Sequence, residues 1–207
     1  MTKYYSQLGQ DKWILEEIYP DTKGTFVDIG AGDGLRISNS KALEENGWTG
    51  LCVEPNKQSI KEFIDNRPNT RLDTRCVCDG RLVDFLEMKP DENGFYPQTS
   101  GISKTYDRTN SWDNYIQREI PSVKLHNLLE DWCFPQFIEY LSVDVEGAEL
   151  RLLKQMDFSF YKFGAITIEH NYRSDDKLQI LNILKNNGYK LVKNKEFEFF
   201  FIKENYE

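Results

Sequence analysis

The stretch Phe26-Val27-Asp28-Ile29-Gly30-Ala31-Gly32-Asp33-Gly34 is an apolar strand that runs directly into three glycines at alternate positions. Glycine allows the backbone to turn sharply there and keeps side chains out of the way of a ligand. A strand closed in this way predicts the first strand and ligand-binding turn of an α/β fold. The spacing is not the G-x-G-x-x-G of dinucleotide-binding proteins.

Two aspartates, Asp28 and Asp33, flank the glycine turn. Carboxylates would repel a diphosphate held at a helix N-terminus, but they suit a ligand that carries positive charge. The amino and sulfonium groups of S-adenosylmethionine carry such charge. By itself the glycine pattern is weak evidence, because an ordinary strand-to-helix turn has the same composition.

Glu54 supports the interpretation as a methyl-donor site. It ends a second apolar run, Gly50-Leu51-Cys52-Val53-Glu54-Pro55-Asn56. A carboxylate roughly 20 residues after a glycine turn commonly accepts hydrogen bonds from the two hydroxyls of a ribose. The turn and Glu54 together predict that S-adenosylmethionine is the cofactor.

Length and composition are typical of one domain spanning residues 1–207, with 39% hydrophobic and 29% charged residues. The formal net charge of −8 argues against a general nucleic-acid binder. No apolar run reaches the roughly 20 residues that cross a bilayer, and the first residues lack a secretory signal pattern. We therefore expect a cytoplasmic protein that binds neither nucleic acid nor membrane. Its four cysteines are expected to be reduced and buried: Cys52, Cys76, Cys78 and Cys133.

Strand and helix patterns alternate along the chain, which predicts a Rossmann-like, three-layer α/β/α fold. Its mostly parallel seven-stranded sheet should end in an antiparallel hairpin, as in the common Rossmann-like methyltransferases. The predicted strands are Thr25–Ile29, Gly50–Glu54, Leu72–Val77, Ile138–Asp144, Ala165–Glu169, Lys190–Lys193 and Phe197–Ile202. The predicted helices are Asp11–Ile18, Ser38–Asn46, Ser59–Asn66, Gly147–Gln155 and Ser174–Asn187.

A second cluster of polar residues follows the fourth and fifth predicted strands. Asp144, Glu146 and Glu149 follow the fourth, and Glu169 and His170 follow the fifth. Oxygen ligands with one imidazole suit Mg or Mn better than zinc, and we predict Asp144, Glu169 and His170 as metal ligands. Alternatively, Glu146 and Glu149 form a solvated first helical turn, and His170 only hydrogen-bonds a neighbour. For Glu149 the solvated turn is the preferred interpretation.

Short motifs along nearly the whole chain carry a family resemblance. They are Tyr5-Ser6-Gln7, Gly9-Gln10-Asp11, Phe26 to Gly34, Ser38-Asn39-Ser40, Gly47-Trp48 with Gly50, Val53-Glu54-Pro55-Asn56, Ser100-Gly101, Ser142 to Glu149 and Ile168-Glu169-His170-Asn171. Together they resemble the FkbM family of S-adenosylmethionine-dependent methyltransferases. The resemblance implies methyl transfer to a hydroxyl oxygen of a sugar or glycan, for instance a deoxyhexose such as rhamnose, or of another natural product.

The resemblance also implies roles for individual residues. The donor contacts carried over by position are Gln7, Asp28, Gly30, Ala31, Gly32, Asn39, Glu54 and Pro55, with Cys78 and Asp79 beside the adenine. The layout is similar to that of metal-dependent catechol-type O-methyltransferases, in which the places of Asp144, Glu169 and His170 hold magnesium. Those enzymes often carry a Lys or His base where this chain has Gly147. Asp144, Glu146 and His170 are therefore the candidate catalytic residues, and the identity of the base stays open.

The segment Lys89–Pro121 is the least regular part of the sequence. Its aromatic residues lie among Ser, Thr, Asn and Asp, a mixture that can stack on sugar faces and bond hydroxyls. It is a candidate acceptor lid or, equally, a long surface loop packed on the sheet edge or on a second subunit of a homodimer. Two other functions stay open: a dinucleotide-dependent oxidoreductase and a non-catalytic sugar-binding module.

Overall fold

The computed structural model describes residues 2–90, 92, 99–103, 114–172 and 174–204. The strands, in chain order, are β1 (Thr25–Ile29), β2 (Thr49–Val53), β3 (Arg71–Asp73), β4 (Cys76–Val77), β5 (Leu82–Met88), β6 (Gly101–Ile102), β7 (Tyr115–Val123), β8 (Phe137–Val143), β9 (Lys162–Glu169), β10 (Tyr189–Lys195) and β11 (Glu198–Lys203). The helices are α1 (Gln10–Trp13), α2 (Lys41–Glu45), α3 (Lys57–Asn66), α4 (Leu125–Asp131), α5 (Glu149–Leu153) and α6 (Ser174–Asn186), and α1 continues as a π-helical turn over Ile14–Ile18.

The main sheet has seven strands in the order β10-β11-β9-β8-β1-β2-β3. β1 pairs in parallel with both β2 and β8, so the strand that enters the glycine turn lies at the centre of the sheet. β11 runs antiparallel to β9 and to β10. The predicted mostly parallel sheet with a terminal antiparallel hairpin is confirmed.

Two apolar layers cover the faces of this sheet, because successive strand side chains point to opposite faces. Val27 and Ile29 pack on one face with residues of α4, α5 and α6. Phe26 packs on the other face with Trp13 of α1 and Leu43 of α2. Asp28 shares the face of Phe26, which gives β1 one polar position directly below the turn.

A second sheet, in the order β4-β7-β5-β6, lies between β3 and β8 in the chain. The prediction missed it, and two expectations are corrected. The predicted strand Leu72–Val77 is interrupted because the carboxylate of Asp73 accepts hydrogen bonds from the backbone and side chain of Arg75, which turns the chain between β3 and β4. Tyr115–Pro121, predicted as part of the irregular segment, is strand and pairs with β5. Phe95, Tyr96, Tyr106 and Trp112 lie outside the described residues.

Smaller expectations are also settled. α2 and α5 are shorter than predicted, at five residues each. Cys52, Cys76 and Cys78 are buried and free, whereas Cys133 is exposed and not buried as expected. Within the described ranges, no helix combines the length and apolar character that crossing a bilayer requires.

Candidate active site at the carboxyl edge of the sheet

Two cavities lie side by side where β1, β2 and β8 end, and they share Gly30 and Asp144. The first, cavity A, encloses about 400 Å³ of empty space including its open mouth, and the second, cavity B, about 470 Å³. Cavity A is lined by Ile29, Gly30, Val53, Glu54, Pro55, Cys76, Val77, Phe85, Ser100, Gly101, Ile102, Asp144, Val145 and Ala148. Cavity B is lined by Gln7, Gln10, Asp28, Gly30, Ala31, Gly32, Arg36, Ile37, Ser38, Asn39, Asp144, Phe197 and Glu198.

The glycine turn is shaped by its contact with the loop after β8. Gly30 has a left-handed φ of 90°, and a Cβ added there would lie 1.7 Å from the carbonyl oxygen of Asp144. The backbone N–H groups of Gly30 and Ala31 donate to the carbonyl of Val53 at 2.9 and 3.1 Å. Glycine is thus required for close packing of two strand ends, and this packing places Asp144 between the cavities.

Glu54 is buried in cavity A, and both of its carboxylate oxygens accept backbone hydrogen bonds. Gly32 N donates to Oε2 at 2.9 Å, and Asn56 N donates to Oε1 at 2.7 Å. Burial raises the pKa of Glu54 to about 7, against the effect of these two bonds. The carboxylate is held rigidly, and each oxygen keeps a lone pair for a ligand.

Asp28 is 2% exposed and borders cavity B. The Ser40 hydroxyl donates to its Oδ2 at 2.6 Å, and the Arg67 Nη1 donates to the Ser40 oxygen at 2.9 Å. Burial nevertheless raises the pKa of the Asp28 carboxyl. Asp33, the other aspartate of the turn, pairs with the Arg36 guanidinium at 2.5 Å and accepts two backbone bonds, so it shapes the turn.

The structure brings most of the predicted donor residues to the two cavities. Cavity B receives Gln7, Asp28, Gly30, Ala31, Gly32 and Asn39, and cavity A receives Glu54 and Pro55. Cys78 and Asp79 line neither cavity, and their place beside the adenine stays a prediction. Cys78 is 1% exposed and packs in a cluster with Val83, and the Asp79 carboxylate accepts a hydrogen bond from Arg151 at 2.6 Å. Cys76 and Val77, which come just before them in the chain, line cavity A.

Three acids form a compact cluster next to the shared wall. Within the described part of the chain, ligand atoms of Asp144, Glu149 and Glu169 lie within 4.8 Å of one another. Burial raises the pKa of the Asp144 carboxyl. Burial and the charges of the neighbouring acids raise the pKa of Glu169, and burial raises the pKa of Glu149 to about 7. The cluster therefore favours a positively charged occupant.

Glu149 was expected in a solvated helical turn, and that expectation is wrong. The residue is 3% exposed, and its Oε1 accepts hydrogen bonds from the N–H groups of Val145 and Gly147, each at 3.0 Å. These bonds bend the loop after β8 back over the start of α5. The side chain is thereby drawn into the cluster rather than toward solvent.

His170 does not join that cluster, which corrects its predicted role as a metal ligand. Its Nδ1 accepts a hydrogen bond from Tyr172 N at 3.2 Å, and its Nε2 lies 3.3 Å from Asn194 Oδ1. Both ring nitrogens therefore have hydrogen-bond partners. Because Nδ1 accepts a bond from an N–H group and Nε2 faces an amide oxygen, the proton of the neutral ring is assigned to Nε2. Burial lowers the pKa of the imidazole. The lowered pKa favours a neutral imidazole, and the part of His170 in catalysis stays a prediction.

Glu146 lies in the loop after β8 with a left-handed φ of 56°. Its charge raises the pKa of Glu169, although it lines neither cavity. Asn171 and Tyr172, in the loop after β9, also have positive φ values of 46° and 56°. Such strained residues concentrate at ligand sites in proteins, and these flank the acidic cluster.

Two further residues of cavity B were missed. Gln10 in α1 and Glu198 in β11 are 2% and 5% exposed, and the Gln10 amide donates to Glu198 Oε2. Burial and the charge of Asp144 raise the pKa of Glu198 to about 8. The sequence carries one signal for this residue, since Glu198 begins an otherwise apolar strand, Glu198-Phe199-Phe200-Phe201-Ile202.

The comparisons with known proteins agree with this architecture. The solved structure of precorrin-6Y C5,15-methyltransferase from Geobacter metallireducens is similar at 12% identity and a TM-score of 0.50, over 93% of this chain and 85% of that one. A "putative RNA methyltransferase" from Pyrococcus horikoshii is similar at 12% identity and a TM-score of 0.51, over 100% and 88% of the two chains. At such identity the likeness shows the fold alone. No curated protein is significantly similar to the chain.

The family comparison covers the site itself. The methyltransferase FkbM domain matches residues 28–191, well over half of the chain and the range from Asp28 through Glu54 to Glu169. With the sheet order and the cavities described above, this match establishes that the chain belongs to the FkbM family of S-adenosylmethionine-dependent methyltransferases, with a Rossmann-like class I fold.

Proposed function

We propose that this methyltransferase transfers the methyl group of S-adenosylmethionine to a hydroxyl oxygen of a sugar or glycan, with deoxyhexoses such as rhamnose as the acceptors to test first. The observation that carries the proposal is the meeting of cavity A and cavity B at Gly30 and Asp144. A donor that fills both cavities has its sulfur beside Asp144. Its methyl group then faces the neighbouring acids.

The adenosine half of the donor fits cavity A. Glu54 has a fixed carboxylate that can accept from both ribose hydroxyls, while Val77 and Ile102 offer apolar walls to the adenine ring. The amino-acid half fits cavity B, which combines the carboxylate of Asp28 with amide side chains such as Asn39. The amino-acid end of the donor carries both charges, so its ammonium group needs a carboxylate partner and its own carboxylate needs N–H donors.

An oxygen acceptor agrees with the carboxyls beside the expected sulfur position. A sugar hydroxyl is a poor nucleophile, so its proton must leave as the oxygen attacks in line with the sulfonium. Burial and the charge of Asp144 raise the pKa of Glu169, so its carboxyl is protonated in the ligand-free protein and can act as the base only once that proton has left. Glu146, in the loop after β8, is the other acid that we propose for this role.

The acidic cluster also fits a divalent metal, because it offers only oxygen ligands and holds them close together. Asp144, Glu149 and Glu169 would bind Mg or Mn, in place of the predicted set with His170. When bound, such an ion polarises a coordinated hydroxyl and lowers its pKa.

Equilibrium binding tests the donor. We expect tight binding of S-adenosylhomocysteine and no binding of NADH. Binding of NADH alone would support the oxidoreductase alternative, and binding of neither would support a non-catalytic module. Incubating donor and enzyme with a panel of glycans, followed by mass spectrometry, tests the acceptor. A gain of one methyl group on a sugar supports the proposal, whereas methylation of other acceptors only would contradict it.

Two further measurements test the acidic cluster once an acceptor is known. Chelation with EDTA should lower turnover, and adding Mg or Mn should restore it; unchanged turnover would remove the metal from the mechanism. Asp144→Asn should lower turnover by at least about 100-fold, because removing a group that acts on the reacting atoms costs several kcal/mol. Asp65→Asn, an exposed change on α3, is the control and should have no effect.

A further inference from the structure

Glu198 and Gln10 close one side of cavity B, although they are 188 residues apart in the chain. Both lie outside the range 28–191 that matches the family. Gln10 is held in turn, because its Oε1 accepts a hydrogen bond from Leu8 N at 2.9 Å while its amide donates to Glu198. The Glu198 carboxylate therefore has a fixed position in the wall of the cavity.

A row of buried polar side chains connects this wall to Asp28 across the sheet. Asp28 is paired in register with Ser142, and Ser142 with Thr167, so the three side chains share a face. The Asn39 amide donates to Ser142 Oγ at 3.0 Å, and the Ser40 hydroxyl donates to Asp28 Oδ2 at 2.6 Å. The Tyr140 hydroxyl lies 2.7 Å from Thr167 Oγ1 and adds to the row. Asp28, bonded by Ser40, and Glu198, bonded by Gln10, thus lie at the two ends of this row and in the wall of one cavity.

Cavity B is consequently rich in carboxyls and poor in cations. Asp28, Asp144 and Glu198 all line it, and the charges of Asp144 and Asp28 both act on Glu198. Among the described residues, Glu198 forms no ion pair. Arg36, which also borders the cavity, is paired with Asp33 at 2.5 Å. Burial favours the protonated form of such carboxyls in the ligand-free protein, and a bound cation would favour their charged form.

We propose that Glu198, held by Gln10, binds the α-ammonium group of the donor's amino-acid end, together with Asp28. The inference rests on the donor placement proposed above. It explains why a carboxylate is buried at the start of a strand that is otherwise apolar. It also separates Glu198 from the cluster of Asp144, Glu149 and Glu169, of which it is not a member.

The test compares S-adenosylhomocysteine with its desamino analogue, in which a hydrogen replaces the α-amino group. Titration calorimetry without added metal measures both ligands on the wild type, on Glu198→Gln and on Glu196→Gln. The last is the matched control, because Glu196 is an exposed acid in the turn of the same hairpin. Removing one charge-assisted hydrogen bond should weaken binding by about 10- to 100-fold.

We expect the wild type to prefer S-adenosylhomocysteine and Glu198→Gln to lose that preference, with little change for the desamino analogue. Glu196→Gln should behave like the wild type. Equal weakening of both ligands by Glu198→Gln would overturn the proposal, as would unchanged binding with slower turnover, which would assign Glu198 to the acceptor. If the wild type binds neither ligand, the proposed donor placement fails instead.

A second variant keeps the test decisive if Glu198→Gln does not fold, which circular dichroism will show. Glu198→Asp retains the charge but shortens the side chain by one methylene group. It should retain part of the preference for the amino-containing ligand. A full wild-type preference in this variant would show that the position of the carboxylate is unimportant and would contradict the proposal.

Discussion

Cavity A is walled mostly by apolar side chains, whereas cavity B, which shares Gly30 and Asp144 with it, is walled largely by amides and carboxylates. At the end of β1, the two cavities take side chains that point to opposite faces of that strand. Ile29 of β1 contributes to cavity A, and Asp28, the residue before it, contributes to cavity B. Because strand side chains alternate, two neighbouring residues can supply an apolar pocket and a charged pocket that meet at the strand end.

The residues that line the two cavities from outside the main sheet also differ in polarity. Phe85 and Ile102, from the second sheet, cover cavity A, and Gln10 of α1 and Asn39, just before α2, border cavity B. A ligand with an apolar ring at one end and charges at the other matches this division. The predictions below test whether the two cavities act as halves of one site.

The largest effect is expected at the turn that joins them. Gly30→Ala should lower the free energy of unfolding by about 3 kcal/mol or more, since it adds a clash with the Asp144 carbonyl to an unfavourable φ of 90°. Gly9→Ala is the control, because Gly9 has a φ of 82° and no atom within 4 Å of an added Cβ. It should cost about 1 kcal/mol. Urea unfolding measures both losses. Equal losses of unfolding free energy for Gly30→Ala and Gly9→Ala would show that the contact between the glycine turn and the Asp144 carbonyl is unimportant.

Glu54→Gln should weaken binding through cavity A alone. We expect S-adenosylhomocysteine and 5′-methylthioadenosine to lose affinity by similar factors, about 10- to 100-fold, because both contain the ribose that Glu54 is proposed to hold. Calorimetry on the two ligands provides the measurement. A loss confined to S-adenosylhomocysteine would place Glu54 at the amino-acid end and would contradict the division between the cavities.

The stability of the ligand-free protein should also depend on pH through Glu54. Its pKa is raised from 4.5 to about 7 by burial, so between these values the native state holds a proton that the unfolded chain has released. Stability therefore falls as pH rises through this window, by at most about 1.4 kcal/mol per pH unit for this one group. Glu54→Gln should flatten the curve of unfolding free energy between pH 5 and 7. Parallel curves for variant and wild type would contradict the assignment.

The smallest effect is expected at Asp79. Asp79→Asn should change the affinity for S-adenosylhomocysteine by less than about 2-fold, because its carboxylate pairs with Arg151 and lines neither cavity. The same titration provides the measurement. A loss of about 10-fold or more would place Asp79 against the adenine after all, and would extend cavity A beyond Cys76 and Val77.

Features that depend on neighbours in the chain were predictable. The strand that ends at Ile29 and the acids Asp28 and Glu54 follow from local pattern. The second sheet was not predicted, because β4 and β6 are only two residues long and too short for any periodic signal. The burial of Glu149 was missed because it depends on how one loop folds back onto its own backbone.

The sequence alone determined the fold class and the edge of the sheet at which the site lies, because residue alternation and glycine turns act over a few neighbouring positions. Only the tertiary structure decided which acids meet. Strand order places β8 beside β1 and β11 beside β9, and so brings Asp144 against Gly30 and Glu198 against Gln10. The same order leaves His170 bonded to Asn194 of β10 and outside the acidic cluster. Such long-range pairings come from packing the whole chain, and no local pattern encodes them.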